Sequence, residues 1–157
     1  MSGRARPVRL SRRDAQALVA AIDHKFLQFL ETVPDAMILS DHQGRILLAN
    51  TTAEWMFGYS RDELMGEEVE ILVPERFQTR HREDRAAYYA DPSLRPMGVG
   101  RDVWGRRKDG VELPVEISLS PVEINGNALV WSAIRNISDR ERSIAQVLWP
   151  SRIHILF

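Results

Sequence analysis

The sequence predicts an α+β fold in which an antiparallel sheet is flanked by helices. Two apolar segments at 36–40 and 45–49 are separated by a short polar turn, and several helical segments follow them. Three further extended segments lie between 97 and 137. Strands and helices are therefore grouped along the chain, whereas a parallel sheet would require them to alternate.

Composition restricts the classes of protein to which the chain can belong. The 157 residues carry a net charge of −1, with 44% hydrophobic and 27% charged residues, as expected for one globular domain with short flanks. The near-zero net charge gives no sign of nucleic-acid binding, although five arginines are concentrated in residues 1–13. We interpret residues 1–10 as a basic flexible tail.

Residues and motifs that are absent from the sequence exclude several kinds of site and activity. The absence of cysteine excludes disulfides, thiol catalysis and cysteine-based metal sites. No signal-peptide pattern and no apolar run long enough to cross a bilayer occur, so a cytoplasmic protein without a membrane span is expected. The P-loop, G-x-S-x-G and H-E-x-x-H motifs are also missing, which argues against an enzyme.

The first predicted element is an amphipathic helix at 11–32. Ser11 is a good N-cap, with Asp14 three residues later in the manner of a capping box. One apolar stripe runs along the helix, formed by Leu18, Ile22, Phe26, Phe29 and Leu30. The stripe can pack on the domain's own sheet or against a second copy of the chain, and we expect a homodimer through 11–32.

Capping and turn residues define the next elements. Pro34 ends the first helix, and residues 36–49 form a hairpin. Asn50 or Thr51 caps a short helix that Gly58 ends, and a capping box at 60–63 begins the next. A further helical turn at 69–73 precedes Pro74.

A longer helix is predicted over 75–90. Phe77, His81 and Tyr88 are spaced by four and seven residues and so share one face, whereas most other positions are strongly polar. His81 is therefore predicted to point inward together with the two aromatic side chains.

The central hairpin turns at 107–110, where Asp-Gly is a strong hairpin signal. After the turn, one face of the strand is apolar, formed by Leu113, Val115, Ile117 and Leu119. Before it, the alternation places four side chains on a common face, namely Met97, Val99, Arg101 and Val103. An arginine on an apolar face requires a partner, which indicates an ion pair or a ligand pocket.

The last predicted strand, 128–137, follows an Asn-Gly turn and is apolar on both faces, so we expect it to be central in the sheet. An outgoing helix is predicted at 140–148. Residues 149–157 lack periodicity, and we assign them no role.

In these segments the chain resembles a PAS domain of bacterial signalling proteins. The resemblance rests on VPDAMILSDHQGRILLAN, FGYSRDELMGEEV, ILVPERF, GRRKDGVELPVEISL and AIRNISDRE. It implies a five-stranded antiparallel sheet flanked by short helices, a sensory or interaction role, and signalling helices at both ends. The expected organisation is a tail at 1–10, a helix at 11–32, the PAS domain at 33–138, and an outgoing helix with an irregular end at 139–157.

Within that family, the chain is most similar to the haem-binding, oxygen-sensing PAS domains of FixL-type histidine kinases. The resemblance places His81 at the position of the haem ligand and Arg101 at that of an arginine contacting propionate or oxygen. Tyr88, Met97 and Val99 complete the candidate pocket. Imidazole is a good iron ligand, and distal donors tune oxygen binding.

Other interpretations of these residues stay open. His81 can be an ordinary interior histidine, Arg101 can form an ion pair, and the indole of Trp131 can fill the cavity instead of a haem. The acid of the family's closing motif is replaced by Asn136, which retains hydrogen bonding without the charge. A flavin held by a thiol adduct is excluded because there is no cysteine, whereas non-covalent flavin is not.

Two functional hypotheses follow. The first is a non-catalytic sensory or protein-interaction module that relays a change to a downstream effector through its flanking helices. The alternative is a haem-based oxygen or redox sensor, with His81 as proximal ligand and Arg101 as distal donor. The parent protein would carry the output, for example as a histidine kinase, since fold does not fix output.

Overall fold

The computed structural model describes residues 10–20, 22–91 and 103–138, and the backbone of residues 95–97. The helices are α1 Arg12–Ala20, α2 His24–Thr32, α3 Thr51–Phe57, α4 Arg61–Leu64, a 3-10 helix Val69–Leu72 and α5 Glu75–Ala90. The strands are β1 Ala36–Ser40, β2 Ile46–Ala49, β3 Arg95–Met97, β4 Trp104–Arg106, β5 Glu112–Ile124 and β6 Asn127–Asn136.

All strands pair antiparallel in the order β2-β1-β6-β5, and both β3 and β4 pair with the free edge of β5. β3 pairs with residues 117–119 and β4 with residues 112–114, so the two short strands occupy one strand position. The sheet thus has five strand positions, as predicted. β6 is central, also as predicted, because it lies between β1 and β5.

The sheet separates two apolar clusters. The inner cluster packs the sheet against α3, α4 and the 3-10 helix, and its buried members are Ala36, Ile38, Ile46, Ala49, Ala53, Phe57, Leu64, Leu72, Val115 and Ile134. The outer cluster packs the opposite face against α1 and α2, and its buried members are Leu30, Leu39, Leu47, Leu48 and Leu129. Such alternation along β1 and β6 is what period-2 strands produce when both faces are covered.

The predicted caps and turns between the first strand and α5 are confirmed. The Asn50 side chain accepts a hydrogen bond from the Ala53 N–H at 3.1 Å, and α3 ends at Gly58 with φ 77°. Ser60 and Glu63 form the predicted capping box. α5 spans 75–90 as predicted.

The prediction of one continuous helix at 11–32 is wrong. The chain forms two helices, and Asp23 begins the second by accepting a hydrogen bond from the Lys25 N–H at 2.9 Å. An aspartate side chain competes for backbone hydrogen bonds inside a helix and favours the N-cap position. Asp23 therefore begins a new helix, although the apolar stripe continues through it. Leu18 and Leu30 are buried, whereas Phe26 and Phe29 are 40% and 60% exposed.

The possibility that Trp131 fills the interior cavity is also wrong. Trp131 pairs with Leu39 and belongs to the outer cluster, on the side of the sheet opposite Ile134. Its ring meets that of Phe26 edge to face, with centroids 5.9 Å apart. The indole therefore anchors α2 to the sheet and leaves the inner face free of its bulk.

Candidate functional site

α5 presents a mixed polar face to the rest of the domain. Tyr88 is buried and the His81 side chain is 32% exposed, but Phe77 is 41% exposed. The prediction that Phe77 shares the inward face with His81 is therefore wrong. The helix is rotated so that Gln78, His81 and Arg85 meet the 3-10 helix, because a polar partner is available there.

That partner is Glu70, whose side chain is 1% exposed. Its Oε1 lies 3.2 Å from His81 Nδ1 and accepts a hydrogen bond from Arg85 Nε at 2.9 Å. Its other oxygen, Oε2, is buried and has no hydrogen-bond partner among the described residues.

The electrostatics of the cluster keep Glu70 ionised. Burial of the carboxyl group opposes ionisation, but the hydrogen bonds from His81 and Arg85 outweigh it and lower the pKa of Glu70 from 4.5 to about 2. At neutral pH Glu70 is therefore a carboxylate whose Oε1 is hydrogen-bonded to an imidazole and to a guanidinium.

Further polar contacts hold α5 along its length. Glu68 pairs with Arg82 at 3.1 Å and with Arg85 at 3.7 Å. The Gln78 amide donates to the carbonyls of Glu70, in the 3-10 helix, and of Val73, directly after it. The Tyr89 hydroxyl donates to the Asp41 carbonyl, and burial raises the pKa of this phenol. Among the described residues, neither apolar cluster includes a residue of α5.

A second network joins the flanking helix to the domain through Asn50, which is 2% exposed. Its oxygen accepts from the N–H groups of Met37 and Ala53, and its amide donates to the carbonyls of Leu30 and Asp35. One side chain therefore links the end of α2, the beginning of β1 and the beginning of α3.

The end of β6 lies beside the same junction. Arg135 pairs with Asp35 at 3.2 Å. Asn136 Oδ1 accepts hydrogen bonds from the Ser138 N–H at 2.9 Å and the Ser138 hydroxyl at 2.6 Å. Asn136, the neutral residue of the closing motif, thus forms a turn by hydrogen bonding to Ser138. The end of β6 therefore lies next to the beginning of β1.

Of the predicted site residues, the structure places His81 and Tyr88 on α5 and the Met97 backbone opposite Ile117. Val99, Arg101 and the Met97 side chain lie outside the described residues, as do the tail at 1–9 and the segment at 139–157. Sequence reasoning missed Glu70 and Arg85. The signal for Glu70 was a single acid within the apolar run Val-Glu-Ile-Leu, since an unpaired charge is seldom buried.

The donor chemistry of His81 fits a haem. Nδ1 of His81 is engaged by Glu70, which leaves Nε2 as the nitrogen able to ligate iron. The inner face of the sheet is apolar. No cluster of three or more histidine, aspartate or glutamate side chains suited to a bare metal ion occurs in the described part of the chain.

The chain matches one family and several of its members. The profile of the PAS domain family matches residues 34–139. Sensor protein FixL of Bradyrhizobium diazoefficiens is 34% identical over 128 residues, covering 80% of this chain and 25% of the relative. Oxygen sensor protein DosP of Escherichia coli is 25% identical over 118 residues, covering 75% of this chain and 15% of the relative. The chain thus spans a quarter or less of these relatives.

Structural similarity agrees with the sequence match. The PAS domain of a protein from Desulfitobacterium hafniense superposes with a TM-score of 0.60 at 21% identity, covering 69% of this chain and 98% of that domain. Within the described residues, no helix has the length and apolar character needed to cross a membrane. The family profile spans the sheet, α3, α4, the 3-10 helix and α5, and the chain therefore belongs to the PAS domain family, the sensory modules of signalling proteins.

Proposed function

We propose that this PAS domain detects a ligand held between α5 and the inner face of the sheet, and relays its presence to an effector in a cytoplasmic signalling protein. The observation that carries this proposal is the attachment of α5. The helix is held by polar contacts to Glu70, Glu68 and Asp41, while the inner apolar cluster contains no α5 residue among those described. An apolar sheet face under a helix held at its polar edge is suited to enclosing a ligand.

The relay would run through the junction of α2, β1 and β6. Asn50 joins α2 to the beginning of β1 and α3, and Arg135 joins the end of β6 to Asp35. A ligand that prefers one arrangement of α5 and the sheet would shift the population of junction states by its differential affinity. Phe26 and Phe29 leave an apolar surface on α2, which we assign to a homodimer contact.

The ligand we favour is haem: the Nε2 of His81 would bind its iron, and Arg101 would supply a hydrogen-bond donor. Two observations support it: Glu70 engages the other ring nitrogen of His81, and the Trp131 indole lies on the outer face of the sheet. When bound, haem supplies an iron that binds small gaseous ligands. The residues of the chain would hold and orient it, keep water away through the inner apolar cluster, and donate a hydrogen bond from Arg101.

Hemin titration of the purified chain tests this proposal. A sharp Soret band at one equivalent is expected, and it should be lost in His81→Ala because the axial ligand is missing. His24→Ala serves as the matched control, since His24 lies exposed at the beginning of α2 and should leave the spectrum unchanged. A spectrum of free hemin with the wild-type chain, or an unchanged band in His81→Ala, would contradict haem ligation by this residue.

A further inference from the structure

We propose that Glu70 is the positioning residue for His81. It holds the His81 ring with Nδ1 protonated and a lone pair on Nε2, and the guanidinium of Arg85 reduces the negative charge with which Glu70 polarises the ring. The proposal deepens the haem hypothesis above and rests on it for the role of Nε2. The orientation of the ring, however, is a property of the protein alone and can be measured without haem.

The geometry of one oxygen atom carries the argument. Glu70 Oε1 lies 3.2 Å from His81 Nδ1, and a carboxylate can only accept hydrogen bonds, so Nδ1 must be the donor. A neutral imidazole carries one proton, which leaves a lone pair on Nε2. Glu70 is 1% exposed and lies on the 3-10 helix, which packs on the inner apolar cluster, so the ring is oriented by a buried and packed group.

Arg85 competes for the same oxygen. Its Nε donates to Glu70 Oε1 at 2.9 Å, a shorter contact than that of His81. The positive guanidinium therefore weakens the hydrogen bond that the carboxylate accepts from Nδ1, and with it the electron density that Nε2 can donate to a metal. Removing Glu70's charge and removing Arg85's charge should consequently change the donor strength of His81 in opposite directions, which a loss of packing alone would not do.

The first experiment measures the ring tautomer in the haem-free chain. Two-bond nitrogen–proton correlation spectra, recorded well above the ordinary histidine pKa of about 6.5, distinguish protonated Nδ1 from protonated Nε2. The wild type should show His81 protonated at Nδ1, and Glu70→Leu should shift the ring towards the Nε2-protonated form. Glu70→Gln, which retains an acceptor of the same shape, should keep most of the wild-type form and guards against a Leu variant that does not fold.

Glu68→Gln is the matched control, because Glu68 lies two residues away and pairs with Arg82 and Arg85 but not with His81. Its His81 tautomer should equal that of the wild type. The same tautomer in the wild type, Glu70→Leu and Glu68→Gln would overturn the positioning role, whatever the chain does with haem.

The second experiment uses the hemin-loaded chain. Loss of an outer partner of a metal ligand weakens metal binding by about 10- to 100-fold, and we expect a loss of this size in hemin affinity for Glu70→Leu. The iron–histidine stretching frequency of the ferrous form should fall in Glu70→Gln and rise in Arg85→Gln. Shifts in the same direction, or none in either variant, would overturn the proposed tuning. A wild-type chain that does not bind hemin would instead refute the haem hypothesis and leave the tautomer result to decide the role of Glu70.

Discussion

At the scale of single residues, two buried polar side chains organise this domain, and they differ in how completely they are satisfied. Asn50 uses all of its hydrogen-bonding capacity on four backbone groups within one junction. Glu70 engages an imidazole and a guanidinium through Oε1, and its Oε2 has no hydrogen-bond partner among the described residues. The first pattern is typical of a structural anchor.

Asn50→Ala should lower the free energy of unfolding by ~3 kcal/mol, because it removes an N-cap and leaves buried backbone groups without partners. Urea unfolding followed by circular dichroism measures this loss. Asn127→Ala is a suitable control, since the Asn127 amide contacts only two turn carbonyls, at 3.1 and 3.3 Å, and should cost much less. Equal losses in the two variants would contradict the anchoring role of Asn50.

The charge of Glu70 should be visible in the pH dependence of stability. Its pKa falls from 4.5 to about 2 in the folded chain, so its contribution is present above the unfolded pKa and is lost as the pH falls towards the folded value. Between about pH 5 and pH 2, stability should therefore fall more steeply in the wild type than in Glu70→Gln. Urea unfolding at stepped pH measures both slopes, and parallel curves would show that the folded chain does not lower this pKa.

At the scale of elements, α2 has two apolar faces, of which one packs on the sheet and the other is exposed. Leu30 is 3% exposed and packs in the outer cluster, whereas Phe29, the preceding residue, is 60% exposed. The amphipathic stripe of the sequence thus divides between the domain's own sheet and a surface that is free in the monomer. Leu30 thus packs on the sheet, as one alternative for the stripe predicts, and Phe29 is exposed, as pairing with a second copy would require.

Phe29→Glu should shift the chain from dimer towards monomer in sedimentation velocity without a large change in thermal stability, because a charge is introduced into the proposed contact but not into the core. Leu30→Glu provides the contrast and should unfold the junction, since it buries an unpaired charge. A wild-type mass equal to that of a monomer, or an unchanged dimer in Phe29→Glu, would exclude α2 as the contact through this residue.

At the scale of the whole molecule, the sheet needs cover on both faces. α3, α4 and the 3-10 helix cover the inner face, while α1 and α2 cover the outer face through Leu30 and its neighbours. The family match at 34–139 includes the inner cover and omits the outer one. The apolar packing on the sheet therefore extends beyond the residues of the family match.

A chain truncated to residues 34–139 should bind a hydrophobic dye and aggregate more readily than the full chain, because Leu39, Leu47 and Leu129 lose their cover. Dye fluorescence and light scattering at matched concentration measure the difference. A truncated chain that is as stable and as monodisperse as the full chain would show that α1 and α2 contribute little to the fold.

Local signals in the sequence predicted much of the fold. The capping box at 60–63, the Asn50 cap, the end of α3 at Gly58 and the bounds of α5 all follow from side-chain chemistry within a few residues. These predictions are confirmed because the groups that form each cap lie close together in the chain, and the local preference of each segment agrees with that of its neighbours. The same local chemistry at Asp23 also explains why the helix predicted at 11–32 is divided into two.

Tertiary structure decided the features that depend on distant partners. β6 is apolar on both faces, so its sequence does not reveal which side Trp131 takes, and pairing with Leu39 settles it. Burial of Glu70 depends on His81 and Arg85, which lie eleven and fifteen residues further along the chain. The sequence by itself determined the order of elements and identified His81 as a candidate, because both are local patterns. Which charges meet, and on which face each side chain lies, was decided by long-range packing.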